Sequence, residues 1–342
     1  MATVSKSGPR VSVVMPARNA GATLEAAIDS IRQQTFADLD IVLVDHKSSD
    51  DSLEIMENAA TQDQRVRVFR ESGTFVNAAN LAWREGRGEL IARMDSDDIA
   101  YPERISAQVD FLSENLDIAA CGTLVNIVKS SGTVEGGYQR YEQWVNSVIE
   151  PNDIISQRFV DSPLPNPTTM VRRCVMEDLR GYSDPPWAED YDFWLRLLES
   201  GHRLGKIDRV LLDWYDEPTR ATRTRERYSL SRFQEAKAFY LSRMEIVRRL
   251  GVIVCGAGPI GKEMAGFLGN HDITVNAFVE VNVRQIGNRI GGAPVLPPSE
   301  LVTWKSRAVA LGAVGQTGAR EKLSELARTA GFTEGVDFFS VA

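Results

Sequence analysis

The chain has 342 residues, 43% of them hydrophobic and 25% charged, and its formal net charge is −8. This length suits a soluble globular protein of two domains, and the negative charge argues against nucleic acid as the main partner. The amino-terminal residues contain no apolar signal-peptide core, and no segment approaches the roughly 20 apolar residues that cross a bilayer. We therefore expect a cytoplasmic protein.

Buried strands alternate with helices in the first hundred residues. The strands are short apolar runs, and the first helix has Leu24, Ile28 and Ile31 at helical spacing. This alternation predicts a parallel sheet with helices on both faces, in which ligands bind at the carboxyl ends of the strands. The predicted strands are 11–15, 41–44, 66–69 and 90–94, and helices are predicted after Thr23, after Asp51 and over 76–85.

The elements that follow are less regular. Residues 203–249 are locally basic, with twelve Lys/Arg and seven Asp/Glu. Such a stretch can hold a phosphate or approach an anionic membrane surface, and it also fits a solvated helix face. We expect strands at 117–128, 168–172 and 207–215, a glycine-rich loop at 129–143, a turn at 162–167, a helix at 189–200 and one long linking helix at 227–250.

The cysteines do not form a framework. Cys121, Cys174 and Cys255 lie far apart in apolar or strand-like segments. This pattern predicts buried free thiols in a reducing compartment, and neither disulfides nor a zinc site. The three histidines are equally scattered, which argues against a metal site built from histidine.

A second strand–helix unit begins at Val252. Gly256, Gly258 and Gly261 follow its strand at a spacing that allows a phosphate to approach a helix N-terminus. Glu280 ends the next strand about twenty residues later, where an acid can meet a ribose. The unit has only about ninety residues, fewer than a full six-stranded dinucleotide domain needs. Nucleotide binding and a purely structural or protein-interaction use both remain open.

The acidic segment at 95–98 offers hard oxygen ligands at a strand end. Asp95 and Asp97 can face one Mg²⁺ or Mn²⁺, which would stabilise the charge on a departing nucleoside diphosphate. Asp98 adds charge or caps the next turn. Taken alone, the segment also fits a polar loop before a helix.

Four motifs occur in a specific order: VSVVMPARN with a following helix that ends in QQTF, DIVLVDHKSSDDS, NAANLAWREGRGELIARMDSDD, and AEDYDFWLRLLESG. In this order they resemble glycosyltransferase family 2, over roughly residues 10–230. The resemblance implies the GT-A α/β fold, a mostly parallel sheet with helices on both faces. It also implies transfer of a sugar from a nucleotide-sugar donor with inversion.

The resemblance assigns donor and metal roles by position. Pro16 and Asn19 would shape the loop under the nucleotide, and Asp45 would face its base or ribose. Asp95 would lie towards the ribose and diphosphate, and Asp97 is the expected direct metal ligand.

The resemblance also supplies a general base, Asp190, in a Glu-Asp pair that opens a helix. Inversion needs a carboxylate that takes the proton of the attacking hydroxyl, and a helix dipole would hold such a carboxylate ionised. The alternative is that Glu189, Asp190 and Asp192 only cap the helix. We expect Asp192 to be structural.

This sequence departs from the family pattern at two positions. His46 stands where many relatives have a second Asp, which leaves the donor base open. Asn166 stands where relatives often have His, which weakens inference about the acceptor. In the distinctive segment after the catalytic helix, Arg220 and Arg223 are candidates to bind the diphosphate, and Asp216 could complete the metal site.

The motifs predict two domains joined by a linker. We expect a GT-A domain over 1–226, a helical linker over 227–250 and a Rossmann-like domain over 251–342 that resembles the amino-terminal domain of bacterial sugar acyltransferases. The expected activity is sugar transfer to a glycan or lipid-linked acceptor in bacterial surface polysaccharide or glycan assembly, with peripheral contact at the inner face of the membrane possible. The alternatives are a non-catalytic nucleotide-sugar binding module and an NAD-dependent oxidoreductase.

Overall fold

The computed structural model describes residues 8–129, 136–216 and 220–342. The chain forms two compact units. The first contains the chain up to Pro151 with Leu164–Pro185 and Glu189–Arg220, and the second contains Asn152–Pro163, Pro186–Ala188 and Ala221–Ala342. Two short segments that precede residue 189 therefore belong to the second unit.

The described strands divide between two sheets. They are β1 (Val11–Ala17), β2 (Leu39–Asp45), β3 (Val66–Arg70), β4 (Leu90–Arg93), β5 (Ile99–Ala100), β6 (Ile118–Lys129), β7 (Met170–Arg172), β8 (Arg203–Asp216), β9 (Val252–Cys255), β10 (Val275–Val279), β11 (Arg289–Ile290), β12 (Ala293–Leu296), β13 (Val309–Gly312) and β14 (Phe338–Ser340). The first eight strands form the sheet of the first unit, in the order β3-β2-β1-β4-β7-β6-β8-β5, and the other six form the sheet of the second.

The described α-helices are α1 (Leu24–Arg32), α2 (Ser52–Gln62), α3 (Phe75–Glu85), α4 (Arg104–Glu114), α5 (Gly137–Ser147), α6 (Pro151–Ser156), α7 (Arg173–Asp178), α8 (Glu189–Glu199), α9 (Ala221–Thr224), α10 (Leu230–Arg243), α11 (Glu245–Leu250), α12 (Pro259–Gly269) and α13 (Ala319–Thr329). Short 3-10 helices lie at Asn166–Thr168, Glu226–Tyr228 and Pro298–Trp304. In the described ranges, no helix is both long and apolar enough to cross a membrane.

The first sheet confirms the predicted parallel arrangement. β1 is parallel to β2 and to β4, and β2 is parallel to β3. All seven residues of β1 and of β2 are buried, because helices cover both faces of the sheet. α1 contributes Leu24, Ile28 and Ile31 to the core, as their spacing predicts. The strands therefore present their carboxyl ends at one edge of the sheet.

The structure corrects four local predictions. Residues 137–143 of the predicted glycine-rich loop lie in α5, while 130–135 fall outside the described residues. The predicted helix over 227–250 is interrupted at Met244, whose ψ of 125° is extended and separates α10 from α11. The strand predicted at 168–172 begins only at Met170, after a 3-10 turn. Cys174 is exposed, whereas Cys121 and Cys255 are buried as expected.

The second sheet has the order β11-β12-β10-β9-β13-β14. β12, β10, β9, β13 and β14 run parallel, and β11 is antiparallel to β12. Along the chain, strands are first added on one side of β9 and then on the other. The order therefore reverses between β9 and β13, which is where ligands bind in open α/β sheets.

Candidate functional site

The loops after β1 and β2 are tied together by Asn19. Its backbone has a positive φ of 50°, a conformation that asparagine tolerates better than most residues. The Asn19 side-chain oxygen accepts a hydrogen bond from the Ser49 N–H at 2.8 Å, and the Asn19 N–H donates to the Ser48 hydroxyl at 3.0 Å. Pro16 is buried in β1 beside Val44 of β2. Asn19 thus joins the loops at the carboxyl ends of β1 and β2, and Pro16 lies near the end of β1.

Asp45 and His46 form the carboxyl end of β2, and both are buried. Asp45 accepts a hydrogen bond from the Ser48 N–H at 3.3 Å. His46 Nε2 lies 3.0 Å from the Gly73 carbonyl oxygen, which can only accept, so Nε2 carries the proton. His46 Nδ1 is then an acceptor, and it is buried with no hydrogen-bond partner among the described residues. His46 therefore offers a buried hydrogen-bond acceptor at the position where the sequence predicts contact with the nucleotide base of the sugar donor.

The end of β4 carries a buried arginine that sequence analysis did not single out. Arg93 donates to one oxygen of Asp95 from Nε at 3.0 Å and from Nη2 at 2.7 Å. Arg104 of α4, fully buried, donates to the Arg93 carbonyl at 2.6 Å and fixes this strand end. The available signal was an arginine in an otherwise apolar strand, because a buried charge needs a partner.

Three carboxylates meet directly after β4. Asp95, Asp97 and Asp98 each offer an oxygen within 4.8 Å of the others. Asp98 is fully buried, and it accepts hydrogen bonds from the Tyr215 N–H at 3.0 Å and from Arg220 at 3.0 Å. Asp98, which the sequence left as an extra charge or a cap, is therefore a buried member of the cluster that is bound to β8 and to Arg220.

Arg220 neutralises part of this cluster. Its guanidinium lies 3.0 Å from Asp98, 3.5 Å from Asp97 and 3.6 Å from Asp95. Burial disfavours the charged guanidinium, but the three carboxylates outweigh burial and raise the pKa of Arg220 above its usual value. Burial, together with the charge of Asp95, raises the pKa of Asp97 despite the opposing effect of Arg220. Arg220 thus reduces the repulsion among the carboxylates without offsetting the effect of burial on the pKa of Asp97.

The residues present fit a divalent cation. A cluster of carboxylate oxygens within 4.8 Å is the donor set that Mg²⁺ and Mn²⁺ prefer. Asp95 shares one oxygen with Arg93, and Asp98 is held by Arg220 and by Tyr215. Asp97 has the fewest of these partners and is partly exposed, so it has the greatest capacity for a metal ion.

Asp190 lies in the first turn of α8, where its side chain accepts a hydrogen bond from the Tyr191 N–H at 2.8 Å. Burial, followed by the charge of Glu189, raises the pKa of Asp190 to about 7, and the charge of Asp95 adds to this rise. The direction is opposite to the expectation that the helix dipole keeps Asp190 ionised, because desolvation is the larger effect. Asp192 pairs with Arg196 at 2.8 Å, a structural contact.

Three further residues singled out from the sequence lie in other elements. Asp216 is buried at the end of β8 but is not one of the three carboxylates that meet within 4.8 Å. Arg223 is exposed in α9 and belongs to the second unit. Asn166, which replaces the family's histidine, lies in a 3-10 turn and accepts a hydrogen bond from the Tyr182 hydroxyl at 3.4 Å.

Packing and backbone conformation account for two of the three glycines in the motif of the second unit. A Cβ on Gly261 would lie 1.9 Å from the Gly256 carbonyl oxygen, and Gly256 has a φ of 120° that side chains rarely adopt. Gly258 has open space at its Cβ position. Glu280 accepts hydrogen bonds from the N–H groups of Ala257 at 2.8 Å, Val281 at 2.8 Å and Asn282 at 3.1 Å. Its carboxylate is already used by the glycine loop and by its own turn.

The family match lies in the amino-terminal part of the chain. The profile of glycosyl transferase family 2 matches residues 12–180. An uncharacterized glycosyltransferase of Haemophilus influenzae is 32% identical over 199 residues, 56% of this chain and 61% of the relative. The putative glycosyltransferase EpsE of Bacillus subtilis is 30% identical over 60% of this chain and 72% of the relative. The O-antigen biosynthesis glycosyltransferase WbnJ of Escherichia coli is 29% identical over 55% of this chain and 71% of the relative.

Solved structures agree with the fold. The structure of S. aureus TarS 1-349 in complex with UDP-GlcNAc superposes with a TM-score of 0.55 at 18% identity, over 77% of this chain and 72% of that chain. The same protein in complex with UDP gives a TM-score of 0.53. These neighbours confirm the GT-A-like mixed α/β fold with helices on both faces of its sheet.

Proposed function

This chain belongs to glycosyl transferase family 2, and we propose that it moves a sugar from a nucleoside-diphosphate donor to an acceptor hydroxyl with inversion. The observation that carries this proposal is the group of three carboxylates at the carboxyl end of β4. The alignment spans 61% of the Haemophilus influenzae relative, so the reaction of the whole protein is inferred from the site.

The acidic cluster holds the donor. Asp97, assisted by Asp95, would bind Mg²⁺ or Mn²⁺, which supplies charge stabilisation to the departing diphosphate. Pro16, Asn19 and Asp45 would shape the nucleotide site around that diphosphate. His46 would contribute to it as a hydrogen-bond acceptor, since its Nδ1 is buried without a partner.

Asp190 acts as the general base. A pKa of about 7 is suited to this role, because a base works best when its pKa lies near the operating pH. The effect of Asp95 on the pKa of Asp190 supports their action in one site. The carboxylate accepts the proton of the acceptor hydroxyl while that hydroxyl attacks the anomeric carbon opposite the diphosphate.

Sugar transfer in surface polysaccharide or glycan assembly fits the similar proteins. WbnJ is named for O-antigen biosynthesis, and the TarS complexes contain UDP and UDP-GlcNAc. We propose a nucleotide-sugar donor and a glycan or lipid-linked acceptor for this chain, in the cytoplasm or at the inner face of the membrane.

The second unit has a structural role in this proposal. The carboxylate of Glu280 accepts three backbone hydrogen bonds, and Gly261 is required by packing against Gly256. These facts explain Gly256, Gly261 and Glu280 without a nucleotide. The alternatives are an NAD-dependent oxidoreductase and a ligand-binding Rossmann-like unit related to sugar acyltransferases. Either alternative would place a ligand at Gly258, where a Cβ would meet no protein atom within 4 Å.

Thermal unfolding with a panel of sugar nucleotides tests the donor proposal. UDP-, GDP-, dTDP- and CDP-sugars are each compared with and without Mn²⁺. The sugar nucleotides of one base are expected to raise the melting temperature of the protein, and only when the metal is present. Binding of a ligand at 100 times its Kd stabilises the folded state by about 2.7 kcal/mol. The absence of stabilisation by every metal–nucleotide pair would overturn the proposal. An Asp190→Asn variant with unchanged turnover would favour a non-catalytic binding module.

A further inference from the structure

Arg220 is lodged among the three carboxylates that form the candidate metal site. Its side chain is 7% exposed, its nitrogens lie near all three acids, and Nη2 also donates to Asp98 Oδ2 at 3.4 Å. Nη1 donates to Asp98 Oδ1 at 3.0 Å, Nε lies 3.5 Å from Asp97 Oδ2, and Nη2 lies 3.6 Å from Asp95 Oδ2. No other cation in the described residues has a salt bridge to Asp97 or Asp98.

Two neighbours hold the guanidinium in this position. Its central carbon lies 4.9 Å from the centroid of the Trp214 ring, a cation–π contact. Nη1 also donates to the Tyr215 carbonyl, while the Tyr215 N–H donates to Asp98. Arg220 and Asp98 are thus fixed to the same point on β8. The contacts with Asp95 at 3.6 Å and Asp97 at 3.5 Å are longer than the 3.0 Å contact with Asp98, so they are the weaker part of the arrangement.

A divalent cation and Arg220 need the same oxygens. A carboxylate oxygen that faces a guanidinium has fewer lone pairs for a metal, and two cations within about 4 Å repel by several kcal/mol at an effective dielectric constant of 20. A metal ion held by Asp95 and Asp97 therefore meets the charge of Arg220 directly.

We propose that Arg220 is the resident counter-cation of the acidic site and competes with the divalent metal for Asp95 and Asp97. This inference rests on the proposed function, because it takes the acidic cluster as the metal site. Arg220 keeps its pair with Asp98 and its stacking on Trp214, and it gives up the two longer contacts. The nitrogens so released can bind a diphosphate in the bidentate manner that guanidinium groups favour. Metal binding and diphosphate binding are then coupled through one side chain.

Metal affinity in the absence of nucleotide tests the competition. Titration calorimetry of the full chain with Mn²⁺ alone is compared for the wild type and for Arg220→Gln. Removal of the competing charge is expected to tighten Mn²⁺ binding by at least about tenfold, a change of 1.4 kcal/mol. If Arg220 only binds diphosphate, the affinity for Mn²⁺ in the absence of nucleotide should not change. Unchanged or weaker binding in Arg220→Gln would overturn the proposal.

Three further variants control this measurement. Arg209→Gln removes an exposed arginine from the same strand β8 and should leave the Kd of Mn²⁺ unchanged. An equal gain in that variant would mean a general effect of net charge and would contradict the proposal. Arg220→Lys keeps the charge but lacks the planar fork, so an intermediate affinity is expected. If Arg220→Gln does not fold, because Asp98 is left buried and unpaired, the double variant Asp98→Asn/Arg220→Gln is compared with Asp98→Asn.

The failure of this inference is distinguishable from failure of the proposed function. If the wild type and all variants bind no Mn²⁺, with or without a nucleoside diphosphate, then the metal site and this inference both fail. If the wild type binds Mn²⁺ with a nucleoside diphosphate and Arg220→Gln gains no affinity for Mn²⁺ alone, only the competition fails. The coupling predicts that a nucleoside diphosphate enhances Mn²⁺ binding more in the wild type than in Arg220→Gln, and an equal enhancement would overturn it.

Discussion

The two sheets of this protein use strand-end carboxylates in opposite ways. After β4, Asp95, Asp97 and Asp98 crowd within 4.8 Å, and burial raises the pKa of Asp97. After β10, Glu280 accepts hydrogen bonds from three backbone N–H groups. The first arrangement leaves oxygen ligands for a cation, whereas the hydrogen bonds of the second are supplied by its own chain. An acid at a strand end is therefore a candidate site only where the surrounding backbone does not use it.

The glycine motifs of the second unit sharpen the same contrast. A side chain at Gly261 would clash with the Gly256 carbonyl oxygen. Gly256 has a φ of 120°, which residues with a side chain rarely adopt. The open space at Gly258 is the one feature of the motif that packing in the described residues does not explain. Substitution at each region can therefore separate use by a ligand from use by the fold.

The largest expected effect is at Asp97. Asp97→Asn should lower kcat/KM at least about 1,000-fold, because the metal's stabilisation of the leaving group contributes several kcal/mol. The folded state should be as stable as the wild type, since the change relieves repulsion in a crowded cluster. Initial rates with saturating Mn²⁺ and the thermal midpoint are the measurements. A variant with more than a tenth of wild-type activity would contradict the assignment of Asp97.

The next effect concerns Asp190. Asp190→Asn should lower kcat by about 10²–10⁴-fold, the usual contribution of a general base. In the wild type, kcat should fall as the pH drops below about 7, because the base works only when ionised and its pKa is raised to about 7. The pH profile of kcat checks both statements. Asp192→Asn, which loses the Arg196 pair, should keep the acid limb of the profile; loss of that limb would move the base role to Asp192.

A smaller effect is expected at Glu280, and it should fall on stability. In Glu280→Gln the amide NH₂ either faces the Ala257 N–H, so that two donors meet, or faces the other two N–H groups. In both cases the charged acceptor is lost, and the free energy of unfolding should fall by about 1–3 kcal/mol. Sugar transfer at a temperature where the protein is folded should remain within about twofold of the wild type. Chemical denaturation and initial rates measure the two quantities. A large loss of transfer without loss of stability would mean that Glu280 contacts a ligand.

The smallest effect is predicted at Gly258. Gly258→Ala should change the free energy of unfolding by less than about 1 kcal/mol, because its φ of −79° suits alanine, its Cβ position is open, and only the preference for glycine over alanine at a helix N-cap opposes the change. Gly261→Ala is the matched opposite and should destabilise the second unit severely. Denaturation curves compare the two. A well-folded Gly258→Ala protein that has lost affinity for a nucleotide bound by the wild type would make the glycine loop a binding site.

Most of the first unit's architecture could be predicted from local sequence. Apolar runs such as 11–15 and 41–44 are central strands, and Leu24, Ile28 and Ile31 do face the core. Local propensity was insufficient at Met244, where an extended residue divides a helical pattern, and in the glycine-rich segment that forms α5. Such breaks depend on tertiary packing, which overrides weak local preferences.

Local sequence was sufficient to predict the alternation of strands and helices in the first hundred residues, the places of Asp95 and Asp97 after a strand and of Asp190 at a helix start, and the family. These features are local, because a strand end and a helix start are recorded in adjacent residues. How each carboxylate is neutralised depends on the tertiary structure. Arg220 meets Asp98 across 122 residues of chain, while Glu280 is bound by N–H groups of its own unit. Burial and partners that are distant in sequence set the charge available to a ligand, and no spacing of residue types records them.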